Sequence, residues 1–502
     1  MEEARASLRR RLGQREADFL TLSRVAICEN PVSPYRQLLQ LSGCEYGDLE
    51  RLVSEGGIEA ALHRLLREGV YLTVDEFKGR KPVVRGSSTF SVNPERFRNP
   101  LSEFHVSVST SGSRGEGTPV LIDLAFIRDC AVDTFLALHA RGGAGWVKAH
   151  WQVPGGGAIA RLIEFGSFGL PPARWFSQVN PAAEGLHPRY RWSARIMRWA
   201  SLMARVPLPP PEHVPVDDPF PILQWMQTSL KSKAVPHLFA FASSAVRLCQ
   251  AALELGIDLE GAQFTVVGEP LTEARLTVIR RTGAEAAPRY AIIECSSVGQ
   301  GCLAPEAPDE VHLLHDLHAL IQAGSAGEEC GLPRSGLLLS SLRSTAPFIL
   351  LNVSMGDQAI LTRRACGCPL ERLGWETHLH TIRSHEKLTA GGMTFLDSDV
   401  IRVLEEILPA RFGGAPTDYQ LVEEQAEDGS PRLRLLVHPK LGPMNEALVI
   451  QAFLSAISIG SGAEKLMGML WRDAKFVKLE RRAPQTTASG KILHLYLSRP
   501  SE

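Results

Sequence analysis

Apolar residues near the N terminus recur at helical spacing. The stretch 35–43 ends on Gly43, which predicts a C-terminal helix cap, and the stretch 56–69 carries apolar residues every three or four positions. Residues 1–85 are therefore predicted to form a helical leader segment.

From about residue 85 to 360, the chain alternates between helical and strand patterns. Residues 243–256 are predicted to be a helix, 262–270 a buried strand, 272–283 a helix and 288–294 a second strand. This alternation is typical of βαβ units in a mainly parallel sheet. The proline-rich stretch 206–221 predicts an irregular surface segment.

After residue 385 the pattern changes. Residues 399–409 and 444–460 are predicted to be helices, 419–439 a hairpin turning at Asp428-Gly429, and 475–483 a strand. The whole chain is thus predicted to have an α/β fold. A large N-terminal domain with mainly parallel sheets and helices spans 1–384, and a small α+β C-terminal domain spans 385–502.

Composition narrows the classes of function. Hydrophobic residues make up 44% of the 502 positions, and 54 Lys and Arg balance 55 Asp and Glu. A nearly neutral chain has no general attraction to nucleic acid or to anionic lipid. The sequence contains no apolar run near the roughly 20 residues of a membrane span, and its start is charged. We therefore expect a cytoplasmic protein that has no membrane span and does not bind nucleic acid.

The nine cysteines are scattered, apart from Cys366 and Cys368. A Cys-x-Cys pair alone is a weak metal signal, because a zinc site needs about four ligands. The candidate histidine ligands, His312, His315 and His318, are distant from this pair in sequence. Structural or incidental roles are favoured for the two cysteines, and metal binding stays open.

A loop dense in Ser, Thr and Gly occupies residues 107–118. Its glycines allow the backbone to approach a ligand, and converging N–H groups can bind an anion. The loop is not a Walker loop, because no Gly-Lys-[Ser/Thr] closes it. Taken alone, it is more typical of a surface loop.

Further motifs follow the loop in a fixed order. They are VVGEPLTEARL (266–276), RYAIIECSSVGQG (289–301), SMGDQAIL (354–361), TIRSHEKL (381–388) and APQTTASGKILH (483–494). Together with STSGSRGEGTP (109–119), they resemble the adenylate-forming superfamily of acyl-CoA synthetases, luciferases and adenylation domains, and especially its phenylacetate-CoA ligase-like branch. The resemblance spans roughly residues 95–495 and identifies the chain as a divergent member.

The resemblance assigns the nucleotide-binding residues. The loop would wrap the β- and γ-phosphates of ATP through Ser109, Thr110, Ser111, Gly112, Ser113, Arg114 and Gly115. Gly268, Glu269 and Pro270 would lie beside the adenine pocket, and Tyr290 against the adenine. Arg114 stands where the family has a small hydroxyl residue, and Val120 stands where many members carry Lys. We interpret Arg114 as a substitute for the positive charge of that lysine.

The resemblance also implies a metal ligand and a ribose site. Glu294 would hold the Mg²⁺ that bridges the phosphates, although Ile293 replaces the family's hydroxyl residue beside it. Asp357 would accept both ribose hydroxyls, a task suited to a carboxylate with two acceptor oxygens, and Arg383 would also touch the ribose. His385 and Glu386 replace the family's acidic hinge pair, around which the small domain would be mobile.

Lys491 matches the family's catalytic lysine. A positioned ammonium is needed because two anions, the carboxylate and the α-phosphate, must meet while pyrophosphate leaves. The implied reaction is ATP-dependent activation of a carboxylic acid to an acyl-adenylate, with Lys491 and Glu294 as the catalytic residues.

The acyl group would pass to an acceptor, with CoA as the commonest co-substrate among similar proteins. A carrier-protein thiol or an amine is the alternative, and a nucleotide-binding protein without the chemistry is an alternative of another class. Four phenylalanines in the segments expected to line the acid pocket favour an apolar substrate and are equally ordinary in a core: Phe165, Phe168, Phe239 and Phe241.

Overall fold

The structure is a computed structural model of the 502-residue chain. It describes residues 1–109, 119–153, 156–167, 171–180, 208–385, 388–390, 393–395, 397–425, 431–457, 477–487 and 490–497. Among the helices in these ranges, none combines the length and the apolar character that a membrane crossing requires.

Helices form where the apolar spacing predicts them. Gly43 adopts a left-handed conformation (φ 69°) and ends the third helix, as predicted. In chain order the helices are Glu2–Gly13, Arg15–Leu22, Pro34–Ser42, Tyr46–Arg67, Val74–Phe77, Leu124–Ala140, Gly156–Gly166, Phe220–Lys231, Ala242–Glu254, Glu273–Arg280, Ala326–Glu329, Asp397–Arg402, Leu408–Phe412 and Glu446–Ile457. The π-helical turns Ser23–Cys28 and Val403–Ile407 continue two of them.

The strands fall into one large sheet and several small ones. In chain order they are β1 (Val83–Arg85), β2 (Ser88–Phe90), β3 (Val106–Ser109), β4 (Pro119–Ile122), β5 (Val147–Gln152), β6 (Arg174–Ser177), β7 (Pro211–His213), β8 (Pro236–Phe241), β9 (Gln263–Val267), β10 (Glu285–Ile292), β11 (Ser296–Gly301), β12 (Val311–Leu313), β13 (His318–Gln322), β14 (Leu337–Ser341), β15 (Asp357–Arg363), β16 (Thr377–Ser384), β17 (Leu388–Ala390), β18 (Met393–Phe395), β19 (Tyr419–Gln425), β20 (Pro431–Val437), β21 (Val477–Arg481) and β22 (Leu495–Leu497).

The large sheet has ten strands in the order β15-β16-β12-β11-β10-β9-β8-β5-β6-β7. The six strands β10-β9-β8-β5-β6-β7 pair in parallel. On the other side of β10, the strands β11, β12, β16 and β15 pair antiparallel. A separate four-stranded sheet, β21-β20-β19-β22, lies near the C terminus. The predicted α/β class with a mainly parallel sheet is confirmed.

The expectation of an irregular segment over 206–221 was wrong for a short strand within it and for its last two residues, which begin helix Phe220–Lys231. Residues Pro211–His213 form β7, one of the two edge strands of the large sheet. A proline is compatible with an edge strand, because the N–H it lacks faces no partner strand. The predicted hairpin is present as the antiparallel pair β19 and β20, and its turn at Asp428-Gly429 lies outside the described residues.

The N-terminal helices are part of the main core. Buried apolar residues from the leader share one cluster with those of helix Leu124–Ala140 and of strands β11 to β14. Arg11, only 1% exposed, donates to Asp316 (2.8 Å) and Asp129 (3.2 Å) and contacts Asp133. A buried guanidinium requires such carboxylates, because an unpaired buried charge is costly. The leader is therefore tied to the large sheet by packing and by charge.

Candidate active site

Several of the predicted site residues follow strands of the parallel part of the sheet. Gly268-Glu269 comes directly after β9, Glu294 comes two residues after β10, and Phe241 ends β8. Parallel neighbours end at the same edge of a sheet, where ligands of such folds bind. The structure thereby brings separate motifs to one edge.

Lys491 reaches this edge from the C-terminal segment. Its ammonium lies 5.5 Å from the centre of the Phe241 ring. Burial lowers the pKa of Lys491, while the charges of Glu269 and Asp357 oppose that shift. Two residues from different motifs are therefore close enough to act on the charge of the lysine.

Two glycines make room for this approach. A Cβ at Gly268 would lie 2.9 Å from Cε of Lys491, and a Cβ at Gly490 would lie 1.9 Å from Oε1 of Gln178. Both glycines have positive φ, +80° and +85°, which disfavours any other residue. Position 268 therefore requires glycine because any larger side chain would occupy the space of Lys491.

The lysine segment is held by its own turn and by Glu269. The N–H of Lys491 donates to Oγ1 of Thr487 (3.1 Å), and the N–H of Ile492 donates to Oε1 of Glu269 (2.9 Å). The same carboxylate accepts from the N–H (2.7 Å) and hydroxyl (3.0 Å) of Ser243. Glu269 therefore links the end of β9 to helix Ala242–Glu254 and to the lysine segment. Beside it, the Pro270 carbonyl accepts from Arg275 (3.2 Å).

Tyr290 and Asp357, assigned to adenine and ribose, are in direct contact. The Tyr290 hydroxyl donates to Oδ2 of Asp357 at 2.7 Å. Burial, followed by the charge of Asp357, raises the pKa of Tyr290 well above its usual value, so the hydroxyl keeps its proton. The pair joins β10 to the start of β15, which lies at the far edge of the sheet.

Glu294 has a partner that the sequence did not indicate. Its carboxylate, 7% exposed, forms an ion pair with the ammonium of Lys78, at the end of the leader helices. Mg²⁺ in nucleotide sites is typically bound by one or two carboxylates together with phosphate oxygens. Glu294 fits such a ligand by residue type, but a metal would have to share the carboxylate with Lys78 or displace it.

Arg383, also predicted to touch the ribose, contacts an acidic residue that the sequence analysis did not include in the site. Its Nη1 donates to Oδ2 of Asp309 at 2.6 Å, although Arg383 pairs in register with Gln358, the neighbour of Asp357. The N–H of His385 donates to the carbonyl of Gly356 (2.8 Å). The hinge position is therefore tied to the residue before Asp357. Its neighbour Glu386 lies outside the described residues.

The phosphate loop lies almost entirely outside the described residues. Ser109 ends β3, and only its backbone is described. The other loop residues predicted to bind the phosphates lie outside the described residues, namely Thr110, Ser111, Gly112, Ser113, Arg114 and Gly115. Their assignment to the phosphates stays a prediction from the motif.

Three of the four phenylalanines expected near the acid pocket pack together. Phe165, Phe239 and Phe241 form a cluster with Leu138 and Val267, and Phe168 lies outside the described residues. A cavity beside this cluster has Phe165, Phe239, Arg141, His237 and Thr265 among its lining residues. Its lining therefore combines apolar and polar side chains.

A buried charge network joins the lysine segment to the large sheet. Glu405 accepts from Arg275 Nε (2.7 Å) and Thr272 Oγ1 (2.5 Å) and contacts His494 Nε2 (2.5 Å). Burial alone would raise the pKa of Glu405, but the charges of Arg275 and His494 outweigh it and bring the pKa to about 2. Glu405 is therefore ionised near neutral pH and acts as the counter-charge of this contact.

The chain matches no known family model and no curated protein. Among solved structures, it is similar to 2-hydroxyisobutyryl-CoA ligase in complex with 2-HIB-AMP and CoA (16% identity, TM-score 0.48, 98% of this chain and 90% of that one). It is also similar to the anthranilate CoA ligase AuaEII with anthranoyl-AMP (12%, 0.44, 77% and 65%). A third is the amide bond synthetase McbA from Marinactinospora thermotolerans (12%, 0.41, 96% and 92%).

Proposed function

We propose that this chain is an AMP-forming ligase of the adenylate-forming superfamily. It would activate a carboxylic acid with ATP, release pyrophosphate, and pass the acyl group to an acceptor. The observation that carries the proposal is the position of Lys491: its ammonium lies at the sheet edge within the electrostatic reach of Glu269 and Asp357, beside Phe241. A buried cation at this edge is what the meeting of two anions requires.

Each site residue has a separate role in the proposed reaction. Asp357, oriented by Tyr290, offers carboxylate oxygens to the ribose hydroxyls, and Lys491 stabilises the charge that develops as the carboxylate attacks the α-phosphate. Attack forms a bond between a carboxylate oxygen and the α-phosphorus and breaks the bond from that phosphorus to the bridging oxygen, so that pyrophosphate leaves. Mg²⁺, bound through Glu294 and the phosphates, would neutralise phosphate charge. Activation replaces a poor leaving group by AMP.

The cavity beside the phenylalanine cluster is our candidate for the acid pocket. Phe239 lines it, and Phe241, two residues along β8, contacts the lysine ammonium. Its mixed lining favours a compact acid with an apolar body and one polar substituent, and the cavity, at about 20 Å³, would have to widen to admit it. CoA is the proposed acceptor, with a carrier-protein thiol or an amine as the alternative.

Pyrophosphate release tests the proposal. The full-length protein is incubated with Mg-ATP and a panel of carboxylic acids, and pyrophosphate is measured. We expect release that depends on at least one acid, with the acyl-adenylate detectable by mass spectrometry. ATP binding without release for any acid, under conditions where a known ligase is active, would instead favour a nucleotide-binding protein without the chemistry.

Lys78 provides a second prediction. Its ammonium competes with a metal for Glu294, so Lys78→Ala should lower the Mg²⁺ concentration for half-maximal pyrophosphate release by about tenfold, the order expected from removing one nearby unit charge. Lys81→Ala, at a lysine paired with Asp75 on the exposed surface, is the matched control. An unchanged Mg²⁺ dependence in Lys78→Ala would show that Glu294 does not hold the metal.

A further inference from the structure

Four metal-ligating side chains meet at the far side of the antiparallel part of the large sheet. They are Cys302, His312, Cys366 and Cys368, and their ligand atoms all lie within 4.8 Å of one another. Cys302 follows β11, His312 lies on β12, and the other two lie in the segment between β15 and β16. Residues separated by more than 60 positions in sequence thus converge on one point.

The spacing of the ligand atoms suits a tetrahedral ion. Nε2 of His312 lies 3.2 Å from Sγ of Cys368 and 3.7 Å from Sγ of Cys366. In a tetrahedral zinc site, bond lengths of about 2.3 Å to sulfur and 2.0–2.1 Å to nitrogen place these atoms about 3.6 Å apart. Three thiolates and one imidazole are a common ligand set of structural zinc.

The groups around the cluster orient its members. Nδ1 of His312 lies 2.6 Å from the carbonyl of Trp375, so an Nδ1–H donor leaves the Nε2 lone pair facing the sulfurs. Backbone N–H groups of Cys368 and Ala304 donate to Sγ of Cys366 (3.5 Å) and Cys302 (3.4 Å), which stabilises negative charge on sulfur. Hydrogen bonds of this kind to the ligand side chains are typical of zinc sites.

The neighbouring carboxylate is engaged elsewhere. Oε1 of Glu310 accepts from Arg364 at 2.5 Å and lies 2.6 Å from Nδ1 of His378. With that oxygen already neutralised, Glu310 is a poorer ligand than the thiol of Cys366. The four-residue set of three cysteines and His312 is therefore the better-formed site.

We propose that Cys302, His312, Cys366 and Cys368 bind one structural Zn²⁺. Four protein ligands leave no open position for a substrate or water, so the ion holds structure and takes no part in the reaction. The β15–β16 hairpin carries Asp357 and Arg383 at its open end, about 20 Å along the strand from the cluster. Zinc would hold the closed end of this edge hairpin against β11 and β12, and so fix the position of Asp357.

Metal analysis of the purified full-length protein tests the proposal. We expect about one zinc per chain in the wild-type protein and less than about 0.2 in Cys368→Ser. Cys28→Ser, at a half-buried cysteine outside the cluster, is the matched control and should keep its zinc. The proposal would be overturned if wild-type protein produced in zinc-supplemented medium contained no metal. A disulfide among Cys302, Cys366 and Cys368 in that protein would overturn it as well.

Two further measurements do not depend on the folding of a variant. Wild-type protein reconstituted with Co²⁺ should show the intense visible bands of tetrahedral cobalt with thiolate ligands. Removal of the metal by a chelator should lower the thermal midpoint by several degrees, and added zinc should restore it. An octahedral cobalt spectrum, or a thermal midpoint unaffected by the chelator, would contradict a closed thiolate site.

Discussion

Replacing Lys491 with alanine is expected to lower the rate of acid-dependent pyrophosphate release by about 10²- to 10³-fold. In the proposed reaction the lost ammonium is the cation that meets the reacting anions from the C-terminal segment, and in the structure it is buried beside Phe241 within reach of the charges of Glu269 and Asp357. Stopped-flow or coupled pyrophosphate assays at saturating ATP measure the effect.

ATP affinity separates this role from a general loss of structure. Because the ammonium acts mainly in the transition state, the Kd for ATP in Lys491→Ala should stay within about tenfold of the wild-type value. Lys478→Ala, at an exposed lysine on β21, is the matched control and should leave both quantities unchanged. A wild-type rate in Lys491→Ala would refute the catalytic role.

Glu405→Gln is expected to destabilise the protein by about 3 kcal/mol, because it leaves the buried Arg275 guanidinium without its main counter-charge. Arg275 and Glu405 are 1% and 0% exposed, so water cannot replace the lost partner. The remaining contact of Arg275 with Glu269, at 3.4 Å, compensates only in part. The shift of the urea midpoint, converted with the slope of unfolding, measures the loss. Glu406→Gln, at the exposed neighbouring glutamate, should have almost no effect.

The pH dependence of this difference follows from the shifted pKa. The folded-state pKa of Glu405, about 2, lies below its ordinary 4.5. The ionised carboxylate therefore contributes its full stability above about pH 4.5, and this contribution is lost as the pH falls through the window towards 2. The stability difference between wild type and Glu405→Gln should shrink over that window. A difference that stays constant down to acid pH would mean that Glu405 does not act through its charge.

The same network bears on movement of the C-terminal segment. The resemblance predicts that this segment swings about a hinge near His385, which would withdraw Lys491 from the site. Such a swing must separate Glu405 from Arg275 and Ile492 from Glu269. Each of these contacts opposes opening until a ligand or acceptor compensates for it.

Local sequence determined the elements and the motifs. The helical spacing of apolar residues located helices such as Ala242–Glu254, and the change of pattern after residue 385 located the C-terminal sheet. These signals are readable because side-chain periodicity depends only on neighbours three, four or two positions away. The motifs containing Gly268, Asp357 and Lys491 were visible for the same reason: each is a short, continuous stretch.

Tertiary structure alone decided which distant groups meet. Nothing near Glu294 in sequence indicates Lys78, more than 200 positions earlier. The sequence offered His312 only as one of three distant histidines and did not indicate Cys302 as a neighbour of Cys366. The reason for glycine at 268 is equally non-local, because the space it leaves is filled by Lys491. Such contacts arise from the order of strands in a sheet, and that order is set by the packing of the whole chain. The local pattern of apolar and polar residues does not determine this packing, so the contacts cannot be predicted from it.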